Sequence, residues 1–101
     1  MNAWQPILNG FDGDVGSERG IVRLDEELAA GARITLEEGG VTAPWSITCG
    51  VYDLMAHTAF FGSETDARKA VLAMKERLTE IVGAIGSDQI YELVERFVAD
   101  F

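Results

Sequence analysis

The hydrophobic pattern of this chain changes period at Ser63, and that change constrains the fold more than any other feature. Between Ile21 and Phe61, apolar residues alternate in short runs rich in β-branched and aromatic side chains, bounded by Gly, Pro and Asp. Beyond Ser63, Ala67, Val71, Met74, Leu78, Ile81, Val82 and Ile85 recur mostly at steps of three and four, the spacing of one helical stripe. Strands followed by helices predict an α+β fold: a four-stranded antiparallel meander, then two helices packed on one face of the sheet.

Ser63 is placed to cap the first helix. It stands three residues before Asp66, a relative of the Ser/Thr-x-x-Glu capping box, and Glu64 adds negative charge at the helix start. Gly83 and Gly86 weaken the far end, and Ser87 can cap a second helix with the stripe Ile90, Leu93, Val94, Phe97, Val98 and Phe101. The short connection predicts an antiparallel helix pair or a sharp corner.

The first hairpin is read from Ile21–Leu28 and Ala32–Glu38 about a three-residue loop, Ala29-Ala30-Gly31, with Gly31 left-handed. That register sets Leu28 opposite Ala32, Glu26 opposite Ile34 and Leu24 opposite Leu36. It also pairs Glu27 with Arg33 and Arg23 with Glu37 across the strands. A helix over 25–30, capped by Asp25 and stopped by Gly31, competes because Glu, Leu and Ala favour helix. The hairpin is preferred because one register yields both charge pairs. Gly39-Gly40, Thr42 and Pro44 then connect to strands over 45–52 and 55–61. Taking Asp53-Leu54 as a two-residue turn pairs Tyr52 with Met55 and Gly50 with His57. These residues suit the primed turns poorly, which leaves a longer loop open. Residues 1–19 are the least decided. Trp4, Ile7, Leu8 and Phe11 share an apolar face if a short helix follows Pro6, and GFDGDVGSERG reads as a loop.

Composition narrows the functional classes. The 101 residues fit one domain, and 48% hydrophobic with 25% charged residues is globular. Net charge is −9, with no basic patch in either part of the chain, so nucleic acid and anionic membrane surfaces are not expected partners. No stretch approaches the ~20 apolar residues that cross a bilayer. The lone cysteine suits a reducing compartment, and the N-terminus lacks signal-peptide features, so the expected location is cytoplasmic.

Cys49 and His57 are the only residues of their types and invite a nucleophile–base reading, which requires hydrogen-bond reach. The register above places Cys49 on the helix-covered face and His57 on the open face, with the sheet between them. Cys49 is then expected to be a core residue. Metal ligation lacks a His-x-x-x-His or Cys-x-x-Cys spacing. Asp12-x-Asp14 begins like a calcium loop but has Gly16, Ser17 and Arg23 at its fifth, sixth and twelfth positions. The acidic pairs in Asp25-Glu26-Glu27 and Glu37-Glu38 read as a solvated face, and no phosphate-binding or nucleophile-elbow motif occurs. No catalytic residue, metal or cofactor is therefore expected.

The surface left open by the helices is the candidate ligand or partner site: Arg33, Thr35, Ser46, Thr48, Tyr52, Met55, His57 and Phe61. At ARITLEEGG, PWSITCGVY and HTAFFGSETDARKAVLAMK the chain resembles small bacterial proteins of unassigned function, over about residues 20–82. The resemblance implies one compact domain in a bacterial cytoplasm and brings no activity with it. The expected function is a small non-enzymatic interaction module that homodimerises through the open sheet face or an edge. The competing expectation is a small-ligand-binding protein or minor enzyme with a pocket near Tyr52, His57 and Arg33.

Overall fold

The computed structural model describes residues 3–7 and 13–101. In chain order the elements are β1 (Trp4–Pro6), β2 (Ile21–Leu28), β3 (Ala32–Glu38), β4 (Trp45–Val51), β5 (Met55–Phe61), α1 (Glu64–Gly83) and α2 (Ile90–Asp100). The strands form one antiparallel sheet in the order β1-β2-β3-β4-β5, with the helices packed against it. The fold is α+β as the change of period predicts, but the sheet has five strands rather than four. The added strand, β1, sets Trp4 opposite Leu28. Trp4 is buried, donates its indole N–H to Thr79 Oγ1 at 3.2 Å, and lies under the Lys75 ammonium. Three residues ending in proline carry no periodic signal, so this strand was invisible to pattern reading. No helix begins at Ile7, whose backbone N–H bonds the Asp25 carbonyl at 3.0 Å. Leu8 and Phe11, the other members of that expected helix face, lie outside the described residues.

The β2–β3 hairpin forms about Gly31, whose φ is 132°. Leu28 faces Ala32, Glu26 faces Ile34, Leu24 faces Leu36 and Glu27 faces Arg33, as expected. An irregularity between Val22 and Leu24 then moves Val22, not Arg23, opposite Glu37. Arg23 instead bonds Glu38 at 3.0 Å. An extra residue in one strand shifts every pairing beyond it, and composition alone does not reveal it.

The β4–β5 hairpin differs from expectation in a way that matters for the site. Its loop has three residues, 52–54, and the closing pair is Val51 with Met55. Asp53 takes a φ of 64°, and the Leu54 N–H donates to the Val51 carbonyl at 3.0 Å. A type I′ turn needs a positive φ at both central residues, which Leu54 resists. The longer loop asks a positive φ of Asp53 alone. A one-residue slip reverses the faces of a strand. Met55, His57 and Phe61 therefore stand on the helix side, and Ala56, Thr58 and Phe60 on the open side.

On the helix side, Ile34, Leu36, Ile47, Cys49 and Val51 meet Ala67, Val71, Met74, Leu78 and Ile81 of α1, all buried. Ser63 caps α1 as expected, its hydroxyl accepting the Asp66 N–H at 3.2 Å. The second helix starts at Ile90, later than Ser87. The Ser87 hydroxyl accepts from the Gln89 N–H in the turn before it. Ile90 and Phe97 are the buried anchors of α2. No helix among the described residues is long and apolar enough to cross a membrane.

Candidate functional site

The open face of the sheet is covered at one end by residues 13–20, which fold back as a strap. Val15 bridges to Ile21, Gly16 N–H bonds the Gly20 carbonyl at 2.8 Å, and Val22 N–H bonds the Asp14 carbonyl at 2.8 Å. Beneath the strap the Glu37 side chain is fully buried and accepts the backbone N–H groups of Glu18 and Gly20, each at 3.1 Å to Oε1. This acceptor satisfies donors that the turn would otherwise leave unpaired. Gly16 lies against the same carboxyl group. A Cβ there would come within 2.3 Å of the Glu37 carboxyl carbon.

Between the strap and the β4–β5 loop lies a groove of about 640 Å³. Its floor contains Gly50 and Ala56, which face each other across β4 and β5. The groove is deep here because these two positions carry almost no side chain. Gly50 is constrained further, since a Cβ would approach the Met55 carbonyl oxygen to 2.9 Å. Arg33, Asp25 and Thr35 line one side. Arg33 donates to both Asp25 carboxylate oxygens, at 2.9 and 2.6 Å, and Thr35 Oγ1 donates to Asp25 Oδ1 at 3.0 Å. The hydrogen bond to Asp25 raises the Arg33 pKa above its ordinary value, despite some desolvation. Val15 and Ser17 of the strap, Thr48, and Tyr52 and Leu54 of the hairpin end contribute further lining.

Four of the expected site residues, Arg33, Thr35, Thr48 and Tyr52, are thus brought together; Met55 borders the groove, but the register turns its side chain to the helix side, where it packs against the core. Ser46 is also on the open face, but buried at the other end, with its hydroxyl unpartnered among the described residues. His57 and Phe61 are corrections. The longer loop turns both to the helix side, where the His57 ring meets Phe97 edge-on at 6.0 Å and Phe61 packs against the core. The expected separation of Cys49 from His57 is likewise corrected, because the two are cross-strand partners on one face. They nevertheless make no hydrogen bond, and His57 Nε2 is buried without a partner among the described residues. Burial pushes the Cys49 thiol up to about 12, which leaves it protonated at neutral pH.

Pattern reading missed Asp25, Gly50, Ala56 and the strap. Gly50 and Ala56 had a usable signal: in the correct register the hairpin's one glycine and an alanine fall side by side. The acidic runs are not a uniform solvated face either. Asp25 is held by Arg33, Glu26 pairs with Lys75 of α1, Glu37 is buried and Glu38 pairs with Arg23. No group of three or more His, Cys, Asp or Glu side chains among the described residues is placed to hold a metal ion. Comparisons with protein-family models, curated proteins and solved structures each gave no match.

Proposed function

We propose that this protein is a non-enzymatic binding module that holds a predominantly apolar small molecule on its open sheet face. The groove carries the reading: its volume of about 640 Å³ falls within the range of small-molecule sites. Its glycine–alanine floor admits a flat apolar body, the Tyr52 ring and Val15 give it walls, and the Arg33–Asp25–Thr35 cluster and Thr48 fix orientation. The chemistry favours holding over reacting. Asp25 is occupied by Arg33 and Thr35, and the Cys49 side chain is a protonated thiol on the other side of the sheet.

The test uses 1-anilinonaphthalene-8-sulfonate, an aromatic anion, in a backbone-amide chemical-shift titration of the protein and of Ala56→Phe. Ala56 is exposed, so the larger ring fills the groove without entering the core. Saturable shifts confined to Val15, Gly50, Tyr52 and Ala56 in the native protein, lost in the variant, are the expected result. Shifts centred elsewhere, or unchanged by Ala56→Phe, would overturn the reading. Homodimerisation is a second reading, favoured by a separate observation: the outer edge of β5 carries no Lys, Arg, Asp, Glu or Pro.

A further inference from the structure

The two edges of the sheet are built differently. The β1 edge is three residues long and ends on Pro6, which has no N–H to offer, so it is a poor template for another strand. The β5 edge is seven residues long, Met55 to Phe61, paired to β4 without interruption and, among the described residues, joined to no other strand. None of its backbone groups enters a bond to a loop among the described residues. It lacks the charges, prolines and bulges that protect edges, yet it leaves Phe60 45% exposed and Met55, His57 and Phe61 only partly covered.

We infer that β5 pairs antiparallel with the β5 of a second copy about a two-fold axis at Thr58, making one ten-stranded sheet, and that the partner's chain helps close the groove of the first copy. A second copy fits this edge better than a foreign strand because the strand is complementary to itself in this register. Pairing about Thr58 sets position 55 opposite 61, 56 opposite 60 and 57 opposite 59, which preserves the two faces. On the open face the bulky Phe60 of each copy lies beside the small Ala56 of the other. On the helix face Met55 lies beside Phe61. Each large side chain meets a small or flexible one, and no like charges confront each other along the strand.

Ala56 belongs to the groove floor, and on its outer side the groove has no wall from its own sheet. The phenyl ring opposite Ala56 supplies that wall. This part of the inference rests on the proposed ligand site, whereas the pairing of edges does not.

Sedimentation equilibrium of the native chain, Phe60→Lys and Thr58→Cys tests the pairing. The native protein is expected to be a dimer at micromolar concentration. Phe60→Lys puts a charge on the edge at a position already exposed, and should raise the dissociation constant about tenfold or more. Thr58→Cys places two thiols on the axis at the separation of directly opposed residues, about 4.5–5.5 Å between Cα atoms, within disulfide reach. It should cross-link under mild oxidation while the native chain, with Cys49 buried, does not. A native protein that stays monomeric at millimolar concentration would overturn the inference. So would a dimer indifferent to Phe60→Lys whose Thr58→Cys variant fails to cross-link. The groove is read separately with the anilinonaphthalene probe: weaker binding by Phe60→Lys supports the partner's wall. Equal binding by monomeric Phe60→Lys removes the wall and leaves the ligand site standing.

Discussion

At the scale of single residues, Cys49 shows how burial decides chemistry. It lies within β4, 3% exposed, and desolvation lifts its thiol to about 12. Native protein should therefore resist iodoacetamide at neutral pH and react only when it unfolds, so the labelling rate in increasing urea should track global unfolding. Fast labelling of the folded chain would mean that β4 is accessible without unfolding. The same group makes stability depend on pH at the alkaline end. The unfolded thiol loses its proton near 9 and the folded one holds it until about 12, so stability from this group falls as pH rises through that window. That Cys49 belongs in the core was legible from alternation along β4. That His57 joins it was not, because the answer depended on one residue of loop length. Asp53-Leu54 fits a primed turn poorly, which kept the longer loop open, but no pattern in the sequence decided between the two lengths.

At the scale of elements, the strap over residues 13–20 is tied to β2 by backbone bonds at Asp14 and Val15, and its turn is anchored on one buried side chain of β3. Glu37 collects the N–H groups of Glu18 and Gly20, and Gly16 passes too close for any side chain. Gly16→Ala should thus force the strap away from Glu37 and cost about 1–3 kcal/mol, the range for overpacking a filled site. Glu37→Leu should cost about as much for a different reason, leaving two backbone donors without their acceptor. Urea unfolding of both variants, with amide exchange at Glu18 and Gly20, checks the prediction. A Gly16→Ala protein with native stability and unchanged exchange would show that the strap yields freely. The sequence around the strap displays glycines and scattered acids, which signal a loop but not where it lies. The glutamate that fixes it sits some 20 residues away on β3. By contrast α1 was legible almost residue by residue, because its cap and its stripe are local properties of the helix itself.

At the scale of the whole molecule, charge and edge act in opposite directions. Each copy carries a net charge of −9, so two copies repel as they approach, while the β5 edge that joins them in the proposed dimer is uncharged. Repulsion spread over a surface is screened by salt, whereas strand pairing and apolar contact are not. The screening length falls from about 10 Å at 0.1 M to about 3 Å at 1 M. The dimer should accordingly tighten as sodium chloride is raised over that range, with the dissociation constant falling several-fold in sedimentation equilibrium. An interface held by ion pairs would weaken instead, and that outcome would place the contact away from β5, on a surface where the acidic and basic side chains of α1 and α2 could meet. The sign of the salt dependence therefore discriminates between an edge chosen for its lack of charge and a face chosen for its charges, without knowledge of the ligand.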